Sequence, residues 1–193
     1  MSSSEESALA PPLQQMLLRV ARAAVDHAAR HGRALAVRTE DYPPPLRQER
    51  ASFVTLRSGD QLRGCIGSCW PHRPLVVDVA HNGYAAACMD PRFRPVTPEE
   101  APGLRLHLSL LSVPERMSCR EEADLLDQVR PGIDGLILES SGRRGTFLPA
   151  VWESLPDAGS FVHQLKLKAG LPPDHWSADT VVYRYTAQSI HED

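Results

Sequence analysis

Between residues 12 and 30 the apolar side chains Leu13, Met16, Leu17, Val20, Ala24 and Ala28 recur at helical spacing. Pro12 suits a first helical turn and Gly32 is placed to end it, so this stretch predicts an amphipathic helix. Tyr42-Pro43-Pro44-Pro45 lacks three successive backbone donors and predicts an extended connection. Two β-prone runs, 52–57 and 61–67, flank Ser58-Gly59-Asp60 and predict a hairpin with Cys65 near the end of its second strand. Leu75, Val76, Val79, Ala80, Tyr84, Ala87 and Cys88 trace a second helix that must stop before Pro91. Thr97 and Pro98 suit the start of a short third helix over 99–101.

Leu104, Leu106, Leu108 and Leu110 alternate with polar neighbours and predict a strand buried on one face. Downstream, the pattern predicts a helix over 121–129, a hairpin from 135–140 and 144–149, a helix over 158–169 closed by Gly170 and Pro172, and a strand over 180–185. Helices mix with antiparallel hairpins without regular βα alternation, which favours an α+β fold over a parallel sheet.

Composition narrows the class. Apolar residues make up 42% and charged residues 23% of 193, a mixture that buries a core. One domain over 12–193 is expected, preceded by a disordered tail over 1–11. Twenty-four acidic and 21 basic side chains are scattered to a net charge of −3, which offers no large positive field to a nucleic-acid backbone. No apolar run approaches the roughly 18 to 20 residues that cross a bilayer, and Met1–Glu6 lacks the basic start and apolar core of a signal peptide. A cytoplasmic protein without membrane attachment is expected, so Cys65, Cys69, Cys88 and Cys119 are read as free thiols.

Among these, Cys65 has the strongest chemical case, because a neighbouring cation such as Arg63 stabilises a thiolate for nucleophilic or ligand chemistry. The alternative is a small apolar core group between Leu62 and Ile66. Arg63 can hold a carboxylate or phosphate through its planar fork, or be spent on an internal ion pair. Gly64 and Gly67 permit close backbone approach, and their spacing is not a phosphate-loop or dinucleotide fingerprint.

Cys65, Cys69 and His72 superficially match the cysteine spacing of a radical SAM cluster, but the third ligand is His and no second close pair exists for zinc. No metal and no cofactor is assigned. Asp78 and His81 would share a face of the second helix, as a base with an orienting carboxylate or as a solvated pair. Asp90 and Arg92 are spaced to pair and shape their loop. A Cys–His pair would require His81, His107 or His163 to arrive beside Cys65.

Several motifs occur in a fixed order: Leu62-Arg63-Gly64-Cys65-Ile66-Gly67, Arg73-Pro74-Leu75, Asp90-Pro91-Arg92-Phe93, Leu108-Ser109-Leu110-Leu111-Ser112, Gly132-Ile133-Asp134-Gly135-Leu136, Gly145-Thr146-Phe147-Leu148-Pro149, Lys168-Ala169-Gly170-Leu171 and Tyr183-Arg184-Tyr185. This collinear set resembles the AMMECR1 family over roughly residues 12–190. The resemblance implies an α+β fold that looks like a duplicated β-α unit around a cleft near the cysteine motif. In such a cleft Cys65 would be the catalytic group, with Arg63, Gly64, Gly67, Asp90, Arg92, Arg144 and Thr146 binding ligand. It also implies association with a Memo-like protein, similar to non-haem iron dioxygenases, and with a radical SAM protein, the AmmeMemoRadiSam set. Two functions follow as expectations: an enzyme or enzyme-system subunit that holds a small or peptide-like anionic ligand, or a non-catalytic scaffold for those partners.

Overall fold

The computed structural model describes residues 8–192. In chain order the elements begin with α1 (Pro11–His31), α2 (Pro44–Arg47), β1 (Ser52–Ser58), β2 (Gln61–Gly67), α3 (Leu75–Cys88) and β3 (Arg105–Leu111). There follow β4 (Glu115–Arg116), α4 (Glu122–Gln128), β5 (Gly135–Ser140), β6 (Arg143–Phe147), α5 (Ala158–Lys168), β7 (Val181–Tyr185) and β8 (Ala187–His191). The chain divides into two compact units, residues 8–111 with 188–192 and residues 112–187. Helices with antiparallel hairpins make the fold α+β.

The first unit holds a four-stranded sheet in the order β2-β1-β3-β8. Val54 and Leu56 of β1, Leu106, Leu108 and Leu110 of β3 and Ile66 of β2 share the face that packs with α1 and α3. The alternation of β3 thus reads directly into burial. Gly83 lets α3 approach α1 closely, since a side chain there would lie 3.2 Å from the Ala24 methyl. Helix α1 ends as its sequence dictates, with Gly32 left-handed at φ 64° and its N–H donating to the Ala28 carbonyl. Of the expected tail, residues 1–7 lie outside the described residues, and Leu9 is held to β8 through its N–H to Gln188 Oε1 at 2.9 Å.

Two local expectations are corrected. Pro43 is extended, but Pro44 and Pro45 open the short α2, because a first helical turn needs no internal N–H donor and the ring presets its φ. The expected 99–101 helix is a 3-10 turn at Ala101–Gly103, where Pro102 supplies no donor to continue a ladder. Strands β4 and β8 carry no alternation long enough to signal them.

The second unit holds a four-stranded sheet in the order β4-β7-β5-β6. Leu136, Leu138 and Val182 pack with Trp152, Phe161, Val162 and Leu165. Lys166 is fully buried, pairing with Glu122 of α4 and donating to the Pro173 carbonyl at 2.9 Å. That pairing offsets the cost of taking its charge out of water. Among the described residues no helix is long and apolar enough to cross a membrane.

Candidate functional site

A bulge in the β1–β2 hairpin decides where Cys65 points. Ser58 pairs with Gln61 and Arg57 with Leu62, then the register shifts so that Leu56 meets Gly64 and Thr55 meets Cys65. Arg63 is the extra residue. Were the turn's register to run on unshifted, Cys65 would oppose Val54 and enter the core, because a one-residue slip moves every following side chain to the other face. With the shift, Cys65 lies on the face away from α3, in a row with Thr55 of β1 and His107 of β3, which pairs with Thr55 on its other side.

The thiol lies 3.2 Å from Thr55 Oγ1. Its peptide group points outward from the sheet edge and is held at both ends. Cys65 N–H donates to Asp90 Oδ2 at 2.9 Å, and Arg92 Nη2 reaches the Cys65 carbonyl at 3.4 Å. The Asp90-Pro91-Arg92-Phe93 loop therefore stands in for a fifth strand at this point and blunts an open edge.

Asp90 and Arg92 hold each other in a two-point fork, Nε to Oδ1 at 2.9 Å and Nη2 to Oδ2 at 2.6 Å. The Arg92 guanidinium, aided by the N–H groups of Cys65 and Arg92, keeps the Asp90 carboxyl well below the usual carboxylate range against the cost of burial. Asp90 raises Arg92 in return. Asp90 is 2% exposed at its side chain and Arg92 54%, so the cation faces outward and the anion inward.

Arg63, released by the bulge, forks onto Glu100 with Nε to Oε1 at 2.6 Å and Nη2 to Oε2 at 3.0 Å. The same contact lowers the Glu100 carboxyl. Arg63 and Arg92 both approach the Phe93 ring, at 5.8 and 5.5 Å from its centre. Both motif glycines are needed for packing. A side chain at Gly64 would meet the Ala86 carbonyl oxygen at 2.2 Å, and one at Gly67 would meet the Phe53 ring and Ser52 oxygen at 2.3 Å.

Arg63, Gly64, Cys65, Gly67, Asp90 and Arg92 are thus neighbours in the first unit. Arg144 and Thr146 belong to the second and are engaged there. Arg144 pairs with Glu139 at 2.5 Å, while Thr146 Oγ1 bonds the Leu136 carbonyl and the Tyr185 hydroxyl, each at 2.9 Å. Of the histidines considered, His107 shares the Cys65 face and stacks on His191 with ring centres 4.2 Å apart. Burial, His191 and Arg57 push its pKa down to about 4. His81 rests edge-on against Tyr84, and His163 lies on α5 in the second unit.

Asp78 does not turn to His81. It is 1% exposed and accepts from Ser52 N–H at 2.9 Å, Ser52 Oγ at 2.6 Å and Asn82 Nδ2 at 2.9 Å, with Arg73 Nε 3.4 Å away. Burial raises its carboxyl pKa, opposed by those bonds. His72 is engaged by the Trp70 carbonyl at Nδ1 and by Arg73 at Nε2. No group of three or more His, Cys, Asp and Glu among the described residues is gathered to hold a metal ion.

Sequence reasoning missed Thr55 and Glu100. Thr55 becomes visible only once the bulge is known, and Glu100 has no spacing that announces its reach to Arg63.

Known proteins are similar to this chain in sequence and fold. A protein of Methanothermobacter thermautotrophicus is 40% identical over 183 residues, covering 92% of this chain and 93% of its own. One from Thermococcus gammatolerans is 40% identical over 190 residues, covering 93% and 90%. The crystal structure of the uncharacterized protein PH0010 from Pyrococcus horikoshii is 36% identical, with a TM-score of 0.84 over 92% of this chain and 90% of that one. The AMMECR1 family pattern matches residues 18–190, and the chain belongs to that family.

Proposed function

We propose that the Cys65 face of the first unit binds a small or peptide-like anionic ligand, with Cys65 as its nucleophile or thiol ligand and Arg92 orienting the anion. One observation carries this reading: the Cys65 peptide group is held at both ends by Asp90 and Arg92 while its thiol meets the Thr55 hydroxyl. A core-filling cysteine needs none of these contacts. Arg92 keeps more than half of its side chain exposed, so it can meet a carboxylate or phosphate without giving up Asp90.

The competing function, a scaffold for Memo-like and radical SAM partners, draws support from Gly64 and Gly67, which are already committed to packing. Charged and neutral alkylating agents separate the two. Iodoacetate should gain on iodoacetamide at Cys65, read by mass spectrometry of the native protein, and Arg92→Gln should abolish that gain. Equal preference for both reagents in the two proteins removes the anion site and leaves the scaffold.

A further inference from the structure

We propose that His27 and His31, at the C-terminal end of α1, form a two-imidazole chelate for a borderline divalent cation such as zinc. They stand one helical turn apart, the spacing that brings two side chains onto one face. Their rings are in contact, with centres 4.5 Å apart and planes tilted by 48°. Rotation of the two side chains can turn one nitrogen of each ring toward a shared ion, at the zinc–nitrogen distance of about 2.0 to 2.1 Å. Neither ring makes a hydrogen bond to the described residues, which leaves their nitrogens available to a metal. Imidazole is the side-chain nitrogen ligand best suited to zinc, nickel and copper.

The charge balance around the pair is mixed. His31 is the last residue of α1, where the unpaired carbonyls of a helix end favour a cation. Arg33 acts in the opposite sense. Arg33 stands near enough for its charge to reach His27. The same positive field weakens the hold on a divalent ion, so the site binds loosely compared with a closed structural zinc. Two protein ligands leave the other positions of a tetrahedral ion to water. The pair lies on the outer side of the first unit's helix layer and is independent of the Cys65 chemistry.

Zinc titration of tag-free protein at neutral pH, by calorimetry and by competition with a chromophoric chelator, tests this directly. The wild type should bind one zinc ion at this site, and thermal unfolding should shift upward with zinc and return with chelator. His27→Ala and His31→Ala should each remove that ion and the shift, while His163→Ala, an exposed change on α5, should keep both. Absence of zinc binding in the wild type overturns the proposal. So does binding that survives both His27→Ala and His31→Ala.

Discussion

The family motifs of the two units are used differently. In the second unit they interlock. A side chain at Gly135 would strike the Tyr185 ring at 2.5 Å, and one at Gly145 would press on the Ala169 methyl at 2.9 Å. The Tyr185 hydroxyl sits 2.9 Å from both the Thr146 hydroxyl and the Phe147 carbonyl, and Lys168 donates to the Thr146 carbonyl. Asp134, fully buried, is answered by Arg130. Each motif there serves another motif. In the first unit Gly64, Ile66 and Gly67 also serve packing, but Cys65 does not. Cys65 is turned out of the core and its backbone is held by a charged pair. A motif that turns a partly exposed thiol away from the core is the stronger candidate for chemistry.

The largest expected effect separates the two kinds of glycine. Gly64→Ala must displace the backbone of α3, met at 2.2 Å, and should cost about 3 kcal/mol in urea unfolding, whereas Gly145→Ala meets the methyl and backbone of α5 and its C-terminal cap only at 2.9 to 3.0 Å and should cost about 1 kcal/mol. Equal costs would mean that the two strand-helix contacts are equally tight.

The next effect belongs to His107. Its folded pKa of about 4 lies below the usual 6.5, so between these values the unfolded chain holds the extra proton. Stability should therefore fall as pH drops from 6.5 toward 4, by about 2 kcal/mol after allowance for partial solvent screening. In His107→Gln that part of the pH dependence should vanish from unfolding curves.

A smaller loss is expected in the second unit. Thr146→Val keeps the shape of the side chain and removes its bonds to Leu136 and Tyr185, for about 1 kcal/mol of stability by the same measurement. No loss would show that the hydroxyl is not needed for packing and would return Thr146 to the candidate ligand contacts.

Much of the fold was legible because burial follows period. The leucines of β3 and the apolar stripe of α1 are in the core as their spacing predicts. The short polar strands were not legible, since β8 buries only Ile190. At the site, the cysteine motif and the Asp90–Arg92 pair could be read from the chain, but the direction of Cys65 could not. It depends on one unpaired residue, Arg63, in a hairpin whose turn would otherwise set the opposite register. Asp78 was hidden for a different reason. Helical spacing offered His81 as its partner, while the buried start of β1, with the N–H and hydroxyl of Ser52 to satisfy, claimed it instead.

Competitive alkylation of native protein, followed at each of the four cysteines by mass spectrometry, tests the placement of Cys65 most directly. Burial pushes the Cys88 and Cys119 thiols up, with Asp124 adding to the effect at Cys119, so both should react slowly. Cys65 should be modified well before them, and Thr55→Val should change its rate while theirs stay the same. A Cys65 that remains protected until denaturant unfolds the chain would contradict the account and return this residue to the core.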